Sequence, residues 1–346
     1  MSDNYLWEFL DTKDDLMIVD SFVKANSIIN NPCYKNIICS ISGGSDSDVM
    51  LDIIYRVDKE KKVKYVWFDT GLEYQATKDH IKELEEKYSI KIIKKRAIKP
   101  IPTACKEYGQ PFLSKTVSEF ISRLQAHGFK FEDRPYEELI EEYPNCKSAL
   151  QWWCDCKERE GVSKSQFSIH RNKYLKKFMV KNPPTFKISN KCCLYAKKKV
   201  AYEIEKEFDA DLMIVGVRKA EGGARATAYK NCYSIKDSEI DSYRPIFWYS
   251  NDNKMNYEKK FNIEHSKCYT LYGFPRTGCC CCPYGRELET ELRTTKIFEP
   301  KLYKAVNNVF KDSYEYTRKY KAFISEMKMK EDEEQLDGQS TIYDYL

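Results

Sequence analysis

Short apolar segments alternate with amphipathic patterns along the first hundred residues. The segments 37–41, 63–68 and 90–93 are short and mostly apolar, as expected of strands buried on both faces. Between them, apolar residues recur every three or four positions over 49–57 and 76–88, which predicts helices. Strand and helix in alternation are typical of an α/β fold with a doubly wound, mostly parallel sheet.

The remaining chain extends this pattern at two places. A further apolar segment, 212–217, follows a helical pattern and is expected to join the same sheet. The stretch between the two parts is bounded by the prolines of 100–102 and 183–184 and has helical periodicity, which predicts a helical insertion. The predicted organisation is N-terminal helices (1–34), an α/β domain in two segments (35–98 and 186–285), the helical insertion (99–185), and C-terminal helices with a polar tail (286–346).

Composition excludes several classes of protein. The 346 residues include 58 basic and 53 acidic side chains, and a net charge of +5 is too small to indicate nucleic-acid binding. No apolar run approaches the length of a membrane span, and residues 1–10 do not resemble a signal peptide. Fourteen cysteines without such a peptide argue against a secreted disulfide scaffold. We therefore expect a cytoplasmic protein that does not bind membranes.

The sequence Ser42-Gly43-Gly44-Ser45-Asp46-Ser47 lies between a predicted strand and a predicted helix. Paired glycines allow the backbone to approach an anion closely, and the start of a helix offers unpaired N–H groups. The loop is neither a Walker A motif nor a dinucleotide-binding G-x-G-x-x-G motif. A helix capped by Ser45 or Asp46 after an ordinary turn is the alternative interpretation.

Three segments resemble known families. The loop at 42–47 resembles the SGGxDS loop of the adenine nucleotide α-hydrolase superfamily, whose members cleave ATP between its α- and β-phosphates. The segment 68–74 resembles the second signature of the phosphoadenosine phosphosulfate reductase family. The segment 216–225 resembles that family's GxRxxESxxR element, with Gly222 in place of the serine.

This resemblance implies an ATP site at the carboxyl ends of the strands, where open α/β sheets bind ligands. It implies four catalytic residues, with Asp46 helping to position Mg²⁺ and the arginines binding phosphate: Ser45, Asp46, Arg218 and Arg225. It also implies a set of residues that bind the adenine nucleotide: Ser42, Gly43, Gly44, Ser47, Asp69, Thr70, Gly71 and Gly216.

The cysteines are clustered at 192–193 and 279–282. Four thiolates satisfy a [4Fe-4S] cluster or tetrahedral zinc. Adjacent cysteines favour the iron–sulfur cluster, and reduced buried thiols are the remaining alternative. The pattern resembles that of adenylylsulfate reductases and of DNA-phosphorothioation enzymes. The ligands it implies are Cys192, Cys193, Cys279 and Cys282, whereas Cys280 and Cys281 could be alternative ligands or redox-active thiols.

Two features distinguish the possible reactions. The loop is intact, as in ATP-using members of the superfamily, and no cysteine follows Cys282 to act as the reductases' nucleophile. The leading hypothesis is an ATP pyrophosphatase that activates a substrate for sulfur transfer, with a thiol or sulfur-donor protein as partner. The alternative is a sulfonucleotide reductase that releases sulfite.

A third hypothesis is a nucleic-acid-binding module that retains a nucleotide site. Cations and aromatic residues alternate in the C-terminal helices, and such a stripe binds phosphates and stacks on bases. Its members are Lys301, Lys304, Lys311, Arg318, Lys319 and Lys321 with Tyr303, Phe310, Tyr314, Tyr316 and Tyr320. An amphipathic helix with a solvated polar face is the simpler interpretation. The four histidines show no metal-ligand spacing, and we assign them no catalytic role.

Overall fold

Six strands form one sheet, and their order shows how the chain is wound. The strands are β1 (Ile37–Ile41), β2 (Val63–Asp69), β3 (Ile92–Arg96), β4 (Leu212–Val215), β5 (Tyr233–Ser234) and β6 (Asp241–Tyr243). Their order is β3-β2-β1-β4-β6-β5, and neighbouring strands are parallel except for the antiparallel β5–β6 pair. β1 thus lies inside the sheet, with β2 and β3 on one side of it and β4, β6 and β5 on the other. This doubly wound, mostly parallel sheet confirms the predicted α/β fold.

The computed structural model describes residues 10–11, 15–156, 168–222, 228–235 and 240–337. The chain divides into two compact units. The first consists of 1–101, 194–280 and 293–302, and the second consists of 102–193, 281–292 and 303–346. The sheet lies in the first unit.

Helices occur in both units of the chain. In chain order they are α1 (Leu16–Ile29), α2 (Ser45–Val57), α3 (Gln75–Tyr88), α4 (Ile101–Tyr108), α5 (Lys115–Ala126), α6 (Tyr136–Glu142), α7 (Lys147–Trp153), α8 (Leu175–Lys181), α9 (Lys191–Cys193), α10 (Lys199–Glu207), α11 (Asn251–Phe261), α12 (Lys267–Thr270), α13 (Leu288–Phe298), α14 (Pro300–Val309) and α15 (Lys311–Asp337). A turn of π-helix, Leu194–Lys198, leads into α10. In the described part of the chain, no helix combines the length and the apolar character that a bilayer crossing requires.

The third strand begins two residues later than the apolar pattern predicts. It pairs Tyr65–Asp69 of β2 with Ile92–Arg96 and so includes three basic residues. Because β3 is at the edge of the sheet, these basic side chains can reach solvent or form ion pairs with acidic side chains. Lys94 pairs with Asp69 at 2.8 Å, and Lys95 pairs with Glu207. Charged residues on an edge strand also discourage pairing with other chains.

The two faces of the sheet are covered by different helices. On one face, Cys39 and Ile41 of β1 pack in a core with residues of α1, α2, α3 and α11. On the other face, Ile38 packs with Val66, Met213 and residues of α10. Alternate residues of one strand thus reach opposite cores, as a sheet between two helical layers requires.

The second unit has a core rich in aromatic side chains. Phe112 and Phe178 lie within ring contact of Tyr316 and Tyr320 from α15. Phe310 and Tyr314 are buried as well. Most aromatic residues of the predicted C-terminal stripe therefore belong to the protein interior, and the idea that they stack on nucleic-acid bases is wrong.

Asp52 fixes helix α2 to its neighbours. Its buried carboxylate accepts hydrogen bonds from Tyr88 of α3 at 2.9 Å and Tyr257 of α11 at 2.6 Å, and from Arg56 Nε at 2.7 Å. Three donors from three directions satisfy a buried charge that would otherwise destabilise the fold.

We expect Asp52→Ala to lower the free energy of unfolding by about 3 kcal/mol, because it leaves buried donors without an acceptor. Urea unfolding monitored by circular dichroism measures the change. Asp20→Ala is the matched control, since it removes an exposed i,i+4 pair with Lys24 and should cost less than about 1 kcal/mol. Equal small losses in both variants would contradict this role of Asp52.

Candidate functional site

A cavity of about 470 Å³ opens in the first unit at the carboxyl end of β1. β1 lies where the winding of the sheet reverses, between β2 and β4, and such crevices are where open α/β sheets bind ligands. The cavity is lined by most of the loop, by Gly216 and Arg218 after β4, and by the segment 275–278. The loop and the 216–218 segment are therefore brought together as the sequence predicts.

The glycine-rich loop leaves the start of α2 without a side-chain cap. Gly43 has a left-handed backbone (φ 66°), where a Cβ would come within 2.9 Å of Thr77. Gly44 is the N-cap residue and has no side chain of its own to cap the helix. Ser47 Oγ accepts a hydrogen bond from the Ser42 amide at 3.0 Å and so holds the loop closed. Because the loop supplies no capping side chain, the arrangement favours an anion site over the alternative of an ordinary capped turn.

A tyrosine hydroxyl contacts this helix start. The Ser45 amide donates to Tyr269 Oη at 3.1 Å, and the same hydroxyl is 3.0 Å from Thr277 Oγ1. Both side chains lie close to Gly44, where a Cβ would come within 3.3 Å of each hydroxyl. The Ser45 amide thus has a hydroxyl acceptor in this structure, and an anion that took the place of this hydroxyl would lie next to two groups able to donate hydrogen bonds to it.

Asp46 holds two cations at the mouth of the loop. Its Oδ1 is 2.8 Å from Arg218 Nε and 3.1 Å from Lys254 Nζ. Lys254 also donates to Ser45 Oγ at 2.6 Å, and Arg218 donates to Asn251 Oδ1 at 3.1 Å. Lys254 is shared with Glu258 at 3.3 Å, so two carboxylates balance the two cations, and these cations can turn toward a phosphate ligand at the helix start. The sequence gives no signal for Lys254, which belongs to a largely polar helix.

A network of carboxylates and histidines connects helix α2 to Lys254. The buried Asp48 is 3.1 Å from His80 Nε2 and 2.8 Å from His265 Nδ1. The other nitrogen of His265 is 2.9 Å from Glu258, which is in turn 3.3 Å from Lys254 Nζ. Because both nitrogens of His265 face carboxylates, the ring donates from both and is positively charged. The network connects the base of α2 to Lys254.

The electrostatic consequence is a raised histidine pKa. Burial alone would lower the pKa of His265, but its hydrogen bonds with Asp48 and Glu258 raise it to about 9. Burial opposes the charge of Asp48 too, yet both histidines together hold the pKa of that carboxyl below its usual range. Sequence reasoning missed this pair of histidines, because their partner Asp48 is distant in the chain from both.

The residues after β2 have mainly structural contacts. Asp69 Oδ1 accepts the Gly71 amide at 3.0 Å, and a Cβ on Gly71 (φ 80°) would come within 2.8 Å of Pro100. Thr70 Oγ1 donates to Glu73 Oε1 at 2.6 Å and lies 3.8 Å from Cys279 Sγ. Burial raises the pKa of Glu73, which lines the cavity as Lys197 does. Of the predicted segment 68–74, Phe68 and Glu73 line the cavity, whereas Asp69, Thr70 and Gly71, which the resemblance implies as nucleotide-binding residues, do not.

The predicted ligand residues are thiols in varied surroundings. A hydrogen bond with Cys105 raises the pKa of the buried Cys192, and burial and Cys282 act in the same direction. Thiols that lie this close together repel one another once deprotonated, and a bound metal cation would stabilise the thiolates. In the described ranges, however, no three His, Cys, Asp or Glu side chains are arranged to hold a metal ion. Cys105 is a hydrogen-bonding neighbour of Cys192.

The sequence also predicts roles for Cys280, Cys281 and Arg225. Cys280 and Cys281 are fully buried, and Cys281 has a left-handed backbone with φ 44°. The Cys281 carbonyl accepts a hydrogen bond from Tyr314 at 2.6 Å. Arg225, the second predicted phosphate-binding arginine, lies outside the described residues.

Residues 36–123 match the model of the phosphoadenosine phosphosulfate reductase domain. The resemblance to that family is thereby confirmed for this segment. It contains the glycine-rich loop, β1 to β3 and the segment after β2. The cysteine clusters, Arg218 and Lys254 lie outside the match.

Comparison with individual proteins gives more distant likenesses. The uncharacterized protein MJ0066 of Methanocaldococcus jannaschii is 27% identical over 289 residues, which is 83% of this chain. This chain spans only 43% of that relative's length.

Two solved structures are distantly similar to this chain. The phosphoadenylyl-sulfate reductase of Candida auris is 13% identical, with a TM-score of 0.40 over 81% of this chain and 96% of that one. The U34-tRNA thiolase NcsA of Methanococcus maripaludis, solved with its [4Fe-4S] cluster, is 13% identical, with a TM-score of 0.37 over 90% of this chain and 80% of that one. Likenesses at this level do not identify the substrate of this chain.

We expect His265 to make the stability of the protein depend on pH. A histidine pKa raised from 6.5 to about 9 stabilises the fold fully below pH 6.5, and this contribution is lost as the pH rises through 9. His265→Gln should therefore lower the melting temperature most near pH 6, and the difference from the unsubstituted protein should shrink toward pH 10.

Melting curves of both proteins at intervals between pH 6 and pH 10 test this expectation. His127→Gln is the matched control, because His127 is exposed. A difference in melting temperature that stays constant across the range would show that His265 is not a charged member of the network.

Proposed function

We propose that the first unit binds ATP in its cavity and cleaves it to AMP and pyrophosphate, and that this step activates a substrate for sulfur transfer. The observation that carries the proposal is the contact of Asp46 with both Arg218 and Lys254 at the N-terminus of α2. A family member that only binds sulfonucleotides has no pyrophosphate to hold there.

The charges suit the leaving group of such a reaction. A substrate oxygen, whose proton is lost to solvent, attacks the α-phosphorus, the bond to the bridging oxygen of the β-phosphate breaks, and pyrophosphate leaves with the electron pair. The product is the adenylated substrate, and AMP is released when a sulfur nucleophile displaces the adenylate. Amides of the loop and of the start of α2 receive the pyrophosphate oxygens. Arg218 and Lys254 then neutralise the charge that develops on them. Asp46 keeps both cations in place before the nucleotide arrives.

The cavity also suits the rest of the nucleotide. Its lining includes Ile41, Trp67 and Phe68, apolar surface of the kind that accepts an adenine ring. Mg²⁺ would arrive with ATP and neutralise phosphate charge, with Asp46 as the loop carboxylate able to hold it. Glu73, whose pKa is raised by burial, lies on the same lining and can keep a proton near the reacting groups.

We also propose that Cys192, Cys193, Cys279 and Cys282 bind a [4Fe-4S] cluster. The crowding of Cys192 with neighbouring thiols supports thiolate ligation there. When bound, the cluster would supply a site for sulfur or electron transfer. A thiol or sulfur-donor protein is the proposed source of sulfur, in the cytoplasm.

Ser45→Ala combined with Asp46→Ala should lower pyrophosphate release from ATP by about 100-fold or more, because the loop hydroxyl and the carboxylate that positions both cations are lost. A coupled assay for pyrophosphate measures the rate. Asp79→Ala removes a half-exposed carboxylate of the same unit that does not line the cavity, so it should retain the rate.

Undiminished pyrophosphate release by the double variant would refute the proposed site. Sulfite release from a sulfonucleotide without ATP, in the unsubstituted protein, would establish the reductase reaction instead. Both products are measured on the same preparations, so the two reactions are distinguished directly.

Anaerobically purified protein should contain about four iron and four sulfide ions per chain, and Cys192→Ser with Cys193→Ser should abolish both. Cys33→Ser, which alters an exposed cysteine, is the control and should retain them. Metal analysis and acid-labile sulfide determination provide the measurement. Stoichiometric zinc in place of iron would contradict the proposed cluster.

A further inference from the structure

The basic residues of the second unit are concentrated in one segment. Residues 168–193 contain seven lysines and arginines and no aspartate or glutamate, although the whole chain carries only +5. Within α8, Leu175, Phe178 and Met179 are buried in the core. Lys177 and Lys181 are exposed on the opposite side of the helix. This segment therefore presents a surface of one sign, which attracts polyanions.

A cavity of about 750 Å³ lies along this surface. We call it the basic cleft. It is lined by residues of 169–181 and of α15. One part of its wall is apolar and includes Ile169, Phe323 and Met327. Lys181 Nζ lies 5.9 Å from the centre of the Phe323 ring, so cationic and apolar groups adjoin in the cleft.

The carboxylates of the cleft do not neutralise all of its lysines. Three carboxylates line it, and each has one lysine partner: Glu331 with Lys173 at 2.6 Å, Asp133 with Lys176 at 2.6 Å, and Glu326 with Lys330 at 2.8 Å. Within the described ranges, Lys177 and Lys181 have no carboxylate within 4.0 Å. Exposed pairs are weak, so a phosphate can replace a carboxylate partner at little cost.

We propose that the basic cleft binds a single-stranded stretch of nucleic acid through its phosphates. Lys177 and Lys181 are one helical turn apart, so their side chains are neighbours and can contact adjacent phosphates. The exposed Val180 and the partly buried Met327 also line the cleft, and they offer apolar surface that an unstacked base can contact. No residue that lines the cleft lines the cavity that the proposed function uses.

Other polyanionic surfaces fit less well. Insertion into a lipid surface needs an apolar helix face, and Leu175, Phe178 and Met179 of α8 are buried in the core, which leaves Val180 as the exposed apolar residue of that helix. A single small anion would need cations that converge on one point, whereas Lys177 and Lys181 lie along a helix, with further exposed lysines after them in the sequence at 187 and 191.

The test is fluorescence anisotropy of a labelled single strand of about 20 nucleotides, as DNA and as RNA, with the full chain in 50 to 200 mM KCl and without ATP. We expect K177Q/K181Q to weaken binding several-fold and to reduce the slope of log K against log salt by about 1.4. The matched control is K319Q/K321Q, which removes two exposed lysines of α15 that do not line the cleft. It should change affinity less than about twofold.

Three outcomes would overturn the proposal: equal losses in both double variants, binding that does not depend on salt, or duplex DNA that binds as tightly as the single strand. Polyglutamate of similar length that competes as well as the oligonucleotide would assign the cleft to an acidic protein instead. Melting curves establish that each variant is folded.

Failure here is distinguishable from failure of the proposed ATP reaction. K177Q/K181Q should release pyrophosphate at the unsubstituted rate, and the Ser45→Ala, Asp46→Ala variant should bind the oligonucleotide normally.

Discussion

The contact between Asp46 and two cations is the interaction on which the site depends. Arg218 and Lys254 come from different parts of the chain, and each would repel the other in a half-buried cavity without a shared carboxylate. Asp46 is itself at the start of a helix, where a negative charge is stabilised by the helix dipole. One side chain therefore places two cations beside the N-terminus of α2, and an arriving phosphate can take over its role as counter-charge.

Helix α2 supports this arrangement with two further carboxylates. Asp48 is held between two histidines, and Asp52 accepts hydrogen bonds from α3 and α11. Each carboxylate joins α2 to elements that are remote in sequence, and each would destabilise the fold if its partners were removed. The loop is consequently attached to a helix that can neither slide nor rotate easily. This rigidity is what a preorganised phosphate site requires.

The sequence predicts the sheet and the loop well because both depend on local patterns. Apolar segments of a few residues identify β1, β2 and β4, and the glycine pair with its flanking serines identifies the loop. Lys254 and His265 could not be predicted, because a lysine or histidine becomes part of a site only through contacts made by the folded chain. The basic and aromatic residues of the C-terminal helices show the opposite case, in which a sequence pattern predicts a binding surface that the fold does not form. The spacing of Tyr316 and Tyr320 fits an interior helix face as well as a binding surface.

The two candidate sites should respond differently to salt. At the loop, the charges are few, shielded from solvent and matched to one another, with Arg218 only 8% exposed. Mobile ions screen such pairs weakly. In the basic cleft the lysines are exposed and their carboxylate partners are weakly held, so screening acts on them fully. A change of ionic strength in the physiological range would thus change the occupancy of the cleft. It would leave the affinity of the loop for phosphate nearly constant. Salt is therefore a means of separating oligonucleotide binding at the cleft from phosphate binding at the loop.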